Sequence, residues 1–344
     1  MADSRIVFVV GAGASKEVSL PTGKELRQDI AKRVDIRFRD GHSQSSGSKQ
    51  ILGSLRHYLG FARQAEINDY LHAGWRIRDA MPQAISIDNY IDNTEDEKIE
   101  IVGKLAIVEA ILEAEQKSPL YIENAFQKPN FASLETTWFS GLMDLITEGT
   151  GKSKVGERTK RFSFIIFNYD RCIEQFLYFG FQNYYGFSKL EAAAIIGDID
   201  FIHPYGTVGD LPFLNAEQNT EFGGHTSHEN LLHNALNIKT FTDQVRDKGL
   251  MGRISTIIRS GDILVFLGFG FHQQNMDLLS VGSELKCSRV YGSAYERSQS
   301  DISVITKQIQ RLTSKTDGRS VEVSLHRDLK CHQVLNEHWL AIKQ

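Results

Sequence analysis

Cysteine is scarce: Cys172, Cys287 and Cys331 are the three in 344 residues, far apart, odd in number and never in a Cys-x-x-Cys pair. That pattern fits no disulfide framework and suits a reducing compartment. It also leaves a structural zinc without its four ligands, even where Cys331 precedes His332. An excess of positive charge is missing as well. Thirty-nine Lys and Arg against 43 Asp and Glu give a net charge of −4, so there is no general attraction for a polyanion, and direct nucleic-acid binding is not expected. No apolar run approaches the ~18 residues that a membrane span needs. The first strand, expected from about Arg5, leaves no room for a secretory signal, and the expected location is the cytoplasm.

What is present is enough apolar material, 41% of the residues, for a core of ordinary size in one large domain or two modest ones. Apolar runs bounded by turn residues occur at Ile6–Val10, Phe162–Phe167, Phe201–Ile202, Ile263–Leu267, Arg289–Tyr291 and Val321–Leu325. Runs without polar alternation suit strands buried on both faces, hence a parallel sheet covered by helices. After the first run, Leu26, Ile30 and Val34 form one apolar stripe at helical spacing. Asp40–Gln50, "DGHSQSSGSKQ", reads as a surface loop. Ile51–Glu148 reads as a helical insertion or lobe within a single α/β domain, with amphipathic helices at Lys98–Glu115 and Thr137–Ile146. A second helical block spans Asn230–Ser260, and no repeat is visible. The expected fold is therefore a Rossmann-like parallel sheet of about six strands with helices on both faces and a helical insertion.

The first strand runs into Gly11-Ala12-Gly13-Ala14-Ser15, a turn whose glycines allow the backbone to bend sharply and approach a phosphate. A dinucleotide fingerprint would place a third glycine where Lys16 stands and an acid ~20 positions on, where Asp35 fits only by stretching the pattern. A dehydrogenase is thus poorly supported. The continuation "GAGASKEVSLPTGKEL" resembles the opening of the sirtuin fold. "FIIFNYDRCIEQFL" resembles its apolar strand ending in Asn-Tyr-Asp, and "ILVFLGFGFHQQNMDLL" its later strand and Gly-x-Gly loop. In this order, from Arg5 to about Tyr295, the motifs are similar to those of sirtuin-like NAD-degrading subunits of bacterial antiphage systems. The two Cys-x-x-Cys pairs of the deacylases are absent, which argues against a protein-lysine groove.

The resemblance implies an NAD+ glycohydrolase with NAD+ as substrate and no other cofactor, giving nicotinamide and ADP-ribose or its cyclic form. It further implies a homo-oligomer working with a partner such as a HerA-type ATPase, and the helical block Ile51–Glu148 is the surface expected to receive that control. Asn168 would hold a ribose hydroxyl and the attacking water. Family members carry His directly before Gly at the third strand's end; here "FIHPYGTVGD" has Tyr205 before Gly206 and His203 two positions earlier. An extended chain puts 203 and 205 on one face, so either His203 is the base, a role worth ~10²–10⁴-fold, or Tyr205 carries part of it. Asp170 either caps the following helix, the favoured reading, or faces the cleft and stabilises the sugar cation. Ser15 and Thr22 would donate to phosphate, Gly268 and Gly270 would allow close approach to the nucleoside, and Asn275 would reach an adenosine hydroxyl. Ala12, Pro21, Tyr205, Gly206 and Phe271 complete the nucleotide-facing set. His272 would border the cofactor or solvent, and His225, His228 and His233 read as surface residues. Two alternatives stand beside hydrolysis: a subunit that binds NAD or ADP-ribose without turnover, and an ADP-ribosyltransferase.

Overall fold

A computed structural model describes residues 4–124, 127–280, 285–313 and 321–343. Its strands are β1 (Ile6–Val10), β2 (Arg37–Arg39), β3 (Ser43–Ser46), β4 (Phe162–Ile166), β5 (Asp200–Ile202), β6 (Ile263–Leu267), β7 (Arg289–Ser293) and β8 (Glu322–His326). Six of them pair in the order β5-β4-β1-β6-β7-β8, and every pairing is parallel. Every residue of the three central strands β4, β1 and β6 is buried, which is why their sequences carry almost no polar residue. The chain moves outward from β1 through β4 and β5, then crosses back to β6 and runs out through β7 and β8. The reversal falls between β1 and β6, where loops leaving the carboxyl ends diverge; open α/β sheets bind their ligands in such a crevice.

Alternation along the strands builds two cores. Val7, Val9, Ile165, Leu264 and Phe266 face one layer, while Phe8, Val10, Phe164, Ile166 and Leu267 face the other. The first layer is covered by helices Gly23–Arg33, Lys49–Leu59, Ile67–Ala80, Glu97–Gln116 and Lys248–Ser260, the second by Trp138–Thr147, Cys172–Tyr185 and Cys331–Glu337. The helical stretch expected from Ile51 to Glu148 therefore serves both faces: its buried residues up to Leu112 belong to the first core and those from Leu120 onward to the second. The helix Glu97–Gln116 departs from the amphipathic expectation. Helices Gly23–Arg33, Lys49–Leu59, Ile67–Ala80 and His228–Asn237 pack around it, so even Lys104 and Glu115 are buried. Lys104 keeps its charge satisfied against Glu100 at 2.5 Å.

The segment Asp40–Gln50 is not a plain loop. β2 and β3 pair antiparallel around it, and Asp40 (φ +55°) and Gly41 (φ +74°) make the tight connection, with the His42 amide donating to Arg39 O. Two positive φ values in succession suit the twist of a hairpin. Gln44 Nε2 donates to the Ser46 and Gly47 carbonyls and the Ser46 hydroxyl to Asp35 O, so polar side chains supply the bonding that apolar packing does not. Among the described residues no helix is long and apolar enough to cross a membrane.

Candidate functional site

The turns after β1 and β6 meet at the sheet's reversal. The Gly11 amide donates to Leu267 O (2.9 Å) and the Gly13 amide to Gly268 O (3.0 Å), continuing the β1–β6 ladder past the strand ends. A Cβ on Gly11 would lie 2.6 Å from Gly268 O, one on Gly13 2.8 Å from Gly268 Cα, and one on Gly268, whose φ is +57°, 2.0 Å from the Ala14 nitrogen. The three glycines expected to admit a nucleotide are thus required first by one another. Gly206 (φ +76°) is similarly fixed by Asn237 O, 2.5 Å from where its Cβ would be. At Gly270 a Cβ would meet only the His272 ring, and its carbonyl accepts from Arg297 Nη2 at 2.9 Å.

Beside this junction the loop leaving β4 supplies Asn168 and Asp170. Asn168 Nδ2 donates to Ser15 Oγ at 2.9 Å, joining the β4 end to the β1 turn. Asp170 Oδ1 accepts from the Cys172 amide at 3.2 Å, in the first turn of helix Cys172–Tyr185, so it does bond a helix-end donor. Its carboxyl also lies among Ser15, Cys172 and His203; burial pushes its pKa up, opposed by the Ser15 hydroxyl and Cys172. Asn168 and Asp170 are 7% and 4% exposed, which keeps bulk water from screening whatever charge develops next to them.

His203 follows β5 and turns its ring into the same group. Nδ1 lies 3.2 Å from Asn168 O and Nε2 2.7 Å from Glu174 Oε1. Burial lowers the ring's pKa, but the Glu174 charge and hydrogen bond, the Asn168 carbonyl and Asp170 carry it above the ordinary histidine value. Glu174 Oε2 is buried without a hydrogen-bond partner among the described residues.

The chain is not extended through Pro204 as expected: β5 ends at Ile202 and residues 203–206 form a turn, closed by the Gly206 amide donating to His203 O at 3.0 Å, from which the Tyr205 hydroxyl donates to Asn275 Oδ1 at 2.7 Å. Two residues expected to touch a nucleoside therefore touch each other across the crevice. Tyr205 packs with Phe167 and Tyr169, and Phe167 with Phe269. Phe271, held at φ +53°, joins this cluster against Phe266 and Phe269. The phenol's ionisation is driven far up by burial, with Asp88 and Asp92 of helix Ile87–Thr94 adding like charge. Asp88 itself is pushed up to about 6, by burial of its carboxyl and then by Asp92.

Thr22 is occupied elsewhere. Its hydroxyl donates to Glu25 Oε2 (2.9 Å) and accepts from the Glu25 amide (3.4 Å) in a capping box that starts helix Gly23–Arg33, which accounts for it without a phosphate. Pro21 precedes Thr22, and Ala12 starts the short helix Ala12–Ser15; both are partly exposed. His272 is exposed at the start of helix Gln273–Leu279. His225 lies by Gln116, His233 by Asn237, and His228 packs over Gly53.

Glu174, Asp88 and Glu115 are the contributors that residue patterns did not single out. The quoted Asn-Tyr-Asp motif contains Glu174 as the entrance to a helix, but nothing local ties it to a histidine 29 residues away. Glu115 had one signal, a carboxylate on the apolar side of a long helix. Comparison with known proteins finds no family model that matches the chain and no curated protein that matches it, so the resemblance rests on the three quoted motifs alone.

Proposed function

We propose that the chain is an NAD+ glycohydrolase that breaks the bond between nicotinamide and ribose. The observation that carries this reading is the meeting of Asn168, Asp170 and Ser15 at the carboxyl ends of β4 and β1, beside the sheet's reversal. The reaction needs no redox change: a cationic pyridinium leaves, and positive charge spreads onto the sugar. In this reading the Asp170 carboxyl, beside Ser15, stabilises that cation. Asn168 would exchange its Ser15 partner for a ribose hydroxyl or the attacking water, since its amide donates and accepts. The products are nicotinamide and ADP-ribose or its cyclic form, and the biological setting implied by the motifs is depletion of NAD during phage infection. Unchecked loss would poison the host, so activity is gated by homo-oligomer assembly or by a partner such as a HerA-type ATPase acting through the 51–148 helices. Substituting exposed residues of that stretch, such as Phe61 and Ile85, without altering assembly or activity would count against the gating.

A second reading, NAD or ADP-ribose binding without turnover, is favoured by the engagement of both His203 ring nitrogens and by the Tyr205–Asn275 bond. Isotope-labelled NAD+ separates the two. Free ADP-ribose that disappears in Asn168→Ala supports hydrolysis, bound and unaltered NAD+ supports the sensor, and label fixed to an acceptor would indicate transfer.

A further inference from the structure

The hydrogen bonds around His203 count its protons. A main-chain carbonyl only accepts, so Nδ1, 3.2 Å from Asn168 O, carries hydrogen. Nε2 is 2.7 Å from Glu174 Oε1, and an ionised carboxylate also only accepts. The two side chains are sheltered, at 9% and 5% exposure.

We infer that Glu174 is a positioning residue that holds His203 as a ring donating from both nitrogens, and that this ring serves to fix the Asn168 main chain instead of taking a proton from substrate. The role given to Asn168 rests on the glycohydrolase reading; the proton count does not. A chain of contacts runs from Glu174 through the imidazole to Asn168 O, and from the Asn168 amide to Ser15 Oγ, so Asn168 is clamped at its main chain and its side chain. Glu174 spends its hydrogen bonding on the ring, since Oε2 has no partner among the described residues. The charged groups facing the imidazole are Glu174 from helix Cys172–Tyr185 and Asp170 from the loop after β4. Cys172 in that helix adds no charge, because burial drives its thiol far up. To act as a base the ring would have to release Glu174.

The test has two arms on the full-length protein. Nitrogen NMR of histidine-labelled protein, with His203 assigned by its loss in His203→Asn, reads the ring protons directly. Two protonated nitrogens at pH 7 in the wild type and one in Glu174→Gln are expected; a singly protonated wild-type ring at pH 7 overturns the assignment. Nicotinamide release is then compared for His203→Ala and His203→Asn, whose amide nitrogen lies near the Nδ1 position. Displacing Asn168 should cost about 10²-fold in kcat in the alanine variant, and asparagine should recover at least tenfold of it. A general base would instead lose ~10²–10⁴-fold in both variants alike, which also overturns the assignment. Were no form to release nicotinamide, the glycohydrolase reading would fail while the NMR arm still decided the ring's protons.

Discussion

Arg171 and Glu115, 56 residues apart in sequence, form a closed ion pair beneath the site: Nε donates to Oε1 at 3.2 Å and Nη2 to Oε2 at 2.5 Å. The remaining guanidinium hydrogens go to the Gly209, Thr220 and Glu221 carbonyls, and Glu115 also accepts from the Arg171 and Gly223 amides. With side chains 2% and 0% exposed, each charge depends on the other. The pair ties helix Glu97–Gln116 to the loop that carries Asn168 and Asp170, and to the 209–223 segment.

Removing one partner should therefore be costly. Glu115→Ala leaves Arg171 charged and buried, and a loss of about 3–5 kcal/mol in unfolding free energy is expected. Replacing both residues by Met should recover part of that loss. Denaturant titration reads the difference, and a single-variant cost under about 1 kcal/mol would show that the knot contributes little.

The glycines divide into those that packing requires and one that it does not. Gly268→Ala places a Cβ 2.0 Å from the Ala14 nitrogen at a positive φ, and should cost about 3 kcal/mol or more. Gly270→Ala meets only the His272 side chain, at 2.9 Å, a neighbour that is exposed and can shift, so the expected change is below about 1 kcal/mol. Thermal unfolding of the two variants side by side checks the contrast; equal losses would contradict the packing account.

Thr22 and Ser15 should also separate. Thr22→Ala removes a helix cap and is expected to cost about 1 kcal/mol of stability with little change in NAD+ affinity. Ser15→Ala removes the partner of Asn168 and should weaken turnover with a smaller stability effect. Calorimetric binding and melting of both variants distinguish the roles, and a reversed pattern would return Thr22 to the phosphate site.

Asp88 supplies a pH signature. Its folded-state value of about 6 stands above the ~3.9 of a free aspartate, so the folded chain keeps a proton that the unfolded chain releases. The stability this group contributes is complete below about pH 4 and is lost as pH rises through about 6. Asp88→Asn should accordingly melt higher than the wild type at pH 7, with the gap closing by pH 4. A gap that does not change with pH would place the carboxylate in water.

The central strands were legible because burial on both faces leaves a continuous apolar run, as in Ile263–Leu267. The hairpin was not, although Asp40-Gly41 is a hairpin signal, because Ser43–Ser46 has no apolar residue to mark a strand. The periodicity of helix Glu97–Gln116 misled in the opposite sense: surrounded by other helices, it buries charged positions that a surface helix would expose. At the site, single residues such as Asn168 and Asp170 could be named from their motif, but their reasons could not. Glu174 belongs to His203, Glu115 to Arg171 and Gly11 to Gly268 only after the chain has folded, across separations that no local spacing reports.

The most direct measurement is nicotinamide release from NAD+ by the full-length protein, alone and with cell extract able to supply a partner, beside Asn168→Ala and Asp170→Asn. The account predicts release by the wild type under at least one condition, and a loss of at least about 10²-fold in both variants. NAD+ that binds and is never cleaved, or release that persists unchanged in Asn168→Ala, would contradict it.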